Sequence, residues 1–251
     1  MRAGKLTGAA SGGTPFWRDH SFSALLDRCS ALARLSDHLP AGPGGPGYRG
    51  QERIEDVQSS YKDHDYGLFF YALTRAIKPR TCVELGVLNG YSLLSIAAAL
   101  RDNGAGYIQG IDLFEDYPHR HARFADVETL INTCRLGKFA GIKKTDALSV
   151  DTQHEEIDFL HVDLSNDGDT YRFVFKHWAG KVNRVILLEG GSADRDQVEW
   201  MVKHKKPPIV PAVDEIRRAF PNWTIAVLAP FPSLTVALRS APDLHGHPYE
   251  R

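Results

Sequence analysis

No stretch of this 251-residue sequence approaches the run of about 18 apolar residues that a membrane-spanning helix needs, so no spanning segment is expected. Cysteine is scarce: Cys29, Cys82 and Cys134 are widely spaced, with no Cys-x-x-Cys. That disfavours both a disulfide framework and a zinc knuckle, and it suits a reducing compartment. Met1 to Thr14 contain Arg2 and Lys5 but no apolar core, so no signal peptide is expected and a cytoplasmic location is. Excess charge of one sign is also lacking. Lys and Arg number 30 against 31 Asp and Glu, a net of −1 without a basic block. The electrostatic footprint of a nucleic-acid binder is therefore missing, and Lys203-His204-Lys205-Lys206 before Pro207-Pro208 reads as a solvated helix end. What is present, 43% hydrophobic and 24% charged residues, is enough to bury a sizeable globular core.

Along the chain the pattern changes twice. Residues 1–64 read as an extension: a Gly/Ala/Ser-rich start, a helical spacing from Ser21 to Leu39, then turn chemistry over residues 41–50. Tyr48, Tyr61, His64 and Tyr66 in and beside it suit either a lid over a site or an apolar cap on the core. Tyr66 to Ile77 is a strongly apolar helix ended by Lys78-Pro79. From Thr81 short β-branched runs (82–85, 107–114, 141–147, 157–164 and 184–190) alternate with helical stretches at Tyr91–Arg101, His121–Leu136, Asp169–Trp178 and Asp194–Lys203. Five strands separated by helices predict a parallel sheet with right-handed crossovers. The runs 223–230 and 233–240 are joined by a link too short for a crossover, which predicts an antiparallel hairpin. Residues 65–240 thus form one α/β domain, followed by a tail at 241–251.

The densest chemical signal is Val83-Glu84-Leu85-Gly86-Val87-Leu88-Asn89-Gly90-Tyr91-Ser92, a strand, a glycine turn and a helix start. Ligands of open α/β sheets bind outside the carboxyl ends of the strands, which is where this motif falls. Its E-x-G-x-x-x-G spacing is not the three-glycine clamp for a pyrophosphate. Glu84 would repel a phosphate and pair with an ammonium. Asp112, 28 positions beyond Glu84 at the end of the second strand, suits a ribose diol. Asp146, before Ala147 at the third strand end, can accept from an adenine amino group or cap a helix. In the fourth strand His161 and Asp163 share a face, while Asp167 and Asp169 read as the cap and first-turn acid of the next helix. His161 is either a general base or a buried, hydrogen-bonded histidine. Asp194 and Asp196 read as helix-opening acids, and His119 and His121 do not have helical metal-ligand spacing.

These residues resemble the class I S-adenosylmethionine-dependent methyltransferases, and most of all the small-molecule O-methyltransferases whose first motif reads E-x-G-x-x-x-G-Y-S, here Glu84 to Ser92. The resemblance runs from about Tyr66 to Ser240. It implies a Rossmann-like α/β fold whose seven-stranded, mostly parallel sheet ends in an antiparallel pair. It also implies that Glu84, Gly86 and Gly90 hold the methionine part of the cofactor, with Tyr91 and Ser92 near its carboxylate. Asp112 would take the ribose, and Asp146 with Ala147 the adenine. Metal-dependent members place acids after strands four and five, so Asp163 and Glu189 are candidate Mg²⁺ ligands, or else they bind substrate amines or hydroxyls without a metal. The sequence departs from that pattern in having the single acid Glu189 before Gly190-Gly191 instead of paired aspartates.

The implied reaction moves a methyl group to a small-molecule hydroxyl, on a natural product or sugar, with Asp163 or His161 taking the proton. No nucleic acid or membrane partner is expected, and self-association stays open. Two rivals remain. One is a non-catalytic cofactor-binding or interaction protein, supported by the unusual Leu187-Leu188-Glu189-Gly190-Gly191. The other is a nicotinamide-dependent oxidoreductase, which lacks its three-glycine fingerprint here.

Overall fold

The computed structural model of the chain describes residues 54, 57–64, 66–149, 156–229 and 232–240. The helix expected over Ser21–Leu39, and Tyr48, lie outside them. Seven strands form one sheet: β1 (Thr81–Leu85), β2 (Tyr107–Asp112), β3 (Ala140–Lys144), β4 (Ile157–Val162), β5 (Val182–Glu189), β6 (Trp223–Leu228) and β7 (Leu234–Arg239), in the order β3-β2-β1-β4-β5-β7-β6. The first five pair in parallel, and β7 runs antiparallel to both β5 and β6. The two expected C-terminal runs do form a hairpin, and its second arm, not its first, joins the parallel strands.

The central strands are buried on both faces, which is why they read as unbroken apolar runs. On one face lie α1 (Tyr66–Ile77), α2 (Tyr91–Asn103) and α3 (Phe124–Thr133). They pack on Cys82, Ile108, Phe159, Val185, Leu187 and Val236. The other face carries α4 (Gly168–His177), the short helices α5 (Ala193–Asp196) and α6 (Glu199–Lys203), and α7 (Ile209–Ala219). There Val83, Leu85, Leu160, Val162, Ile186 and Leu188 meet Tyr171, Phe175, Ile209 and Ile216. Because side chains alternate along a strand, Glu84, His161, Asp163 and Glu189 all fall on the α1/α2 face. Ile54, Val57 and Tyr61, ahead of α1, are buried in that same core.

The helix expected over Asp194–Lys203 is two pieces, broken at Gln197 and Val198. Helix α7 has no counterpart in the sequence expectation, because Pro207, Pro208 and Pro211 crowd its start. Pro208 is its cap and Pro211 lies in its first turn, where the missing amide costs no helical hydrogen bond. Its first amides are satisfied from a distance: the Asp196 carboxylate accepts from Ile209 N at 2.6 Å and Val210 N at 2.9 Å. Among the described residues no helix is long and apolar enough to cross a membrane.

Candidate active site

The site is built where β1, β2, β4 and β5 end. After Leu85 the chain turns through Gly86 at φ 85°, in the left-handed region that only glycine enters freely. A Cβ there would collide with the carbonyl oxygen of Asp163. This close approach is held by Gly86 N donating to Ile111 O at 2.9 Å and Asp163 N to Leu85 O at 2.8 Å. Gly90, also left-handed, caps α2.

Asp112 secures this turn. Its Oδ2 accepts from Val87 N at 2.7 Å and Leu88 N at 2.9 Å, while Oδ1 accepts from Phe114 N at 2.6 Å. Leu88 and Phe114 both have positive φ, 47° and 50°, an uncommon and costly state for bulky residues. The half-buried carboxylate therefore stabilises two strained turns as well as facing the ligand end of the sheet. Asp146 is exposed in the turn after β3, where its Oδ1 accepts from Leu148 N at 2.9 Å; Ala147 beside it is buried against the sheet. No helix follows before β4 among the described residues, so Asp146 closes a turn with one oxygen instead of capping a helix.

Beneath the glycine turn lies a buried polar chain. Glu84 and His161 are register partners on β1 and β4, and both are fully buried. Glu84 Oε1 accepts from Ser92 Oγ and lies 2.7 Å from His161 Nδ1. Glu84 Oε2 is buried and has no hydrogen-bond partner among the described residues. Burial raises the Glu84 pKa, while His161 and Ser92 pull it back down. On its far side His161 Nε2 faces the Tyr61 hydroxyl at 3.5 Å. Tyr61 is itself wedged edge-on against Tyr66 and Phe70. Burial, and then the nearby Asp163 charge, push the Tyr61 phenol well up.

This arrangement corrects part of the sequence expectation. His161 has no ring nitrogen left for an acceptor, because Nδ1 faces Glu84 and Nε2 faces Tyr61, with Phe70 against the ring. Tyr91 and Ser92 also turn inward. The Tyr91 ring fills the space left by the missing side chain of Gly67 in α1, and Ser92 serves Glu84. Asp163 is the group's one half-exposed carboxylate, raised by burial and lowered by His161 and Tyr61.

At the end of β5 the expected metal ligand Glu189 is occupied. Arg195 grips both its oxygens, Nε to Oε1 at 2.6 Å and Nη2 to Oε2 at 3.0 Å. Nη2 also donates to Asn166 O at 3.1 Å. Burial pushes the Glu189 carboxyl up to about 7 against the pull of Arg195. Mg²⁺ requires about six oxygen ligands around it, and a cation is already seated on one of the two acids expected to bind it. Among the described residues no group of three or more His, Cys, Asp or Glu side chains could hold an ion. The residues present do not fit the metal.

Two members of the site have no place in the sequence reading. Asn166, fully buried, donates from Nδ2 to Val162 O and Glu189 O, both at 2.9 Å, and so ties the ends of β4 and β5. Arg195 sits between Asp194 and Asp196, which hide it among solvated charges. Its burial follows from a four-residue helix too short to leave a periodic signal. A search for a counter-charge to the acid ending an apolar strand would have been the only route to it.

Against known proteins, residues 83–187 match the family model described as a methyltransferase domain. No curated protein matches the sequence. Solved structures share the fold at low identity. A Klebsiella pneumoniae candidate O-methyltransferase has TM-score 0.61 and 15% identity, over 84% of this chain and 97% of that one. An SAH-bound methyltransferase of Podospora anserina gives 0.54 and 18%, over 88% and 97%. The O-methyltransferase of tomaymycin synthesis from Streptomyces achromogenes, in complex with SAM, gives 0.55 and 15%, over 86% and 99%.

Proposed function

We propose that the chain is a class I S-adenosylmethionine-dependent methyltransferase that methylates a hydroxyl oxygen of a small molecule. The observation that carries the cofactor site is Glu84 Oε2, a buried carboxylate oxygen that nothing among the described residues satisfies. Leaving such an atom unpaired is costly, and an ammonium group removes the cost. S-adenosylmethionine has an ammonium, a ribose diol and an adenine but no phosphate, which suits a site of carboxylates at strand ends. Solved relatives holding SAM or SAH support the same choice.

Each residue then has a task. Glu84, held rigid by Ser92 and His161, takes the ammonium. The turn from Gly86 to Gly90 brings backbone close to the ligand, and Asp112 both shapes that turn and faces the ribose. Asp146 keeps one oxygen for the adenine amino group, with buried Ala147 forming the floor. Asp163, half-exposed and less acidic than usual, takes the hydroxyl proton. When bound, the cofactor supplies an electrophilic methyl group. The protein's contribution is alignment of the two reactants and removal of one proton.

Calorimetric titration of S-adenosylhomocysteine into wild-type protein and Glu84→Gln tests the reading. We expect wild-type binding and a loss of roughly tenfold or more in the variant. Absence of binding to the wild type, or equal affinity for both, would sink the cofactor assignment.

A further inference from the structure

We propose that the Arg195 guanidinium is the cation of the acceptor site and that it binds the acceptor as an oxyanion. The proposal rests on the methyl-transfer reading above and narrows its substrate class to acidic hydroxyls, phenols or enols.

Three of the five N–H bonds of Arg195 are spoken for: Nε–H and one Nη2–H go to Glu189, the other Nη2–H to Asn166 O. Among the described residues Nη1 has no hydrogen-bond partner, although Arg195 is only 4% exposed. The Trp200 ring covers the guanidinium, 5.1 Å from Cζ. A planar fork fixed on two of its edges and backed by an aromatic face cannot rotate to satisfy Nη1 elsewhere. Asp163 and Glu189 directly follow the register pair Val162 and Leu188 on neighbouring strands, so the guanidinium held by Glu189 lies at the same end of the sheet as Asp163.

Charge accounting agrees with this placement. In the unreacted site Asp163 and Glu189 face one guanidinium. Once the acceptor hydroxyl passes its proton to Asp163, the oxyanion takes the place of the lost carboxylate charge, and Nη1 has an acceptor at last. The oxyanion's lone pair then forms the O–CH₃ bond as the CH₃–S bond breaks. That bond's electron pair stays on sulfur, which goes from sulfonium to neutral thioether. No oxidant, reductant or metal is needed. A guanidinium is a weaker electrophile than a divalent ion, so it suits a hydroxyl that ionises readily and not an aliphatic alcohol.

The test uses the full chain loaded with S-adenosylhomocysteine and para-nitrophenol as a coloured probe of ionisation. The phenolate band should grow on binding at fixed pH, and EDTA should leave it unchanged. Arg195→Lys should weaken phenolate binding roughly ten- to hundredfold. Arg195→Met combined with Glu189→Gln removes both buried charges together and guards against misfolding; it should lose the phenolate shift while keeping wild-type affinity for S-adenosylhomocysteine. A phenolate shift as large in the paired variant as in the wild type would overturn the proposal. So would its loss in EDTA with recovery in Mg²⁺, or failure of the loaded wild type to bind the phenolate. If the wild type does not bind S-adenosylhomocysteine at all, the methyl-transfer reading fails as well.

Discussion

His161 Nδ1 lies 2.7 Å from Glu84 Oε1, with neither side chain exposed to solvent. The contact joins two neighbouring parallel strands at a shared register position, so the backbone holds it as much as the side chains do. It links a residue proposed to hold the cofactor to Tyr61 and Asp163 on the acceptor side. Replacing His161 by Phe would leave the Glu84 carboxylate with Ser92 as its one protein partner. Removing one member of a buried pair costs about 3–5 kcal/mol. Urea unfolding of the unliganded His161→Phe protein should show a loss of that order; wild-type stability would mean that the pair is not electrostatically coupled.

The raised Glu189 carboxyl makes stability depend on pH. Its pKa is about 7 when folded against a usual 4.5, because burial disfavours the charged form. The folded protein therefore holds this proton more tightly than the unfolded chain does. The contribution is complete below pH 4.5 and disappears as pH rises through about 7. Glu84 and Asp163 are raised too and act in the same direction. Across this window the unliganded protein should lose about 3 kcal/mol through Glu189 alone. Tm should fall as pH rises there, and Glu189→Gln should flatten the slope. Rising stability across the same window would contradict the assignment.

Two glycines of one turn should differ in what they tolerate. Both Gly86 and Gly90 have left-handed φ, but a methyl group at Gly86 strikes backbone, whereas at Gly90 it comes 3.2 Å from Val127 Cγ1, a side chain that can give. Gly90→Ala should cost about 1–2 kcal/mol, mostly from its φ. Gly86→Ala should cost more than about 3 kcal/mol because β1 and β4 must separate. Denaturant midpoints compare them, and equal losses would be inconsistent with the close approach to Asp163.

Asp112→Asn should weaken S-adenosylhomocysteine binding through the loop as well as through the ribose. Asn offers one acceptor oxygen where the carboxylate serves three backbone amides on two. We expect a drop in affinity of roughly tenfold or more and a stability loss of about 1–2 kcal/mol even without ligand. A variant with full stability and weak binding would restrict Asp112 to ligand contact alone.

Much of the scaffold was legible because its signals are local. The apolar runs ending in Glu84, Asp112 and Glu189 are strands whose length and flanking turns are visible residue by residue. The five residues between β6 and β7 left antiparallel pairing as the only choice for that hairpin. What was not legible depended on partners distant in the chain. Helix α7 hid behind three prolines because its first amides are satisfied by Asp196, 13 residues earlier. His161 read equally well as base or as buried histidine until Glu84 and Tyr61 were seen on its two nitrogens, 77 and 100 positions away.

The sequence by itself determined the succession of strands, the glycine turn and the set of acids at the strand ends, since periodicity and turn chemistry act over a few neighbouring residues. Tertiary structure alone decided which of those acids are free. Asp112 is committed to three amides and Glu189 to Arg195, while Asp163 stays half-open and Glu84 keeps one buried oxygen unpaired. The reason is that burying a charge is costly unless a partner is brought to it, and the partner is chosen by how the sheet and helices pack, not by its place along the chain.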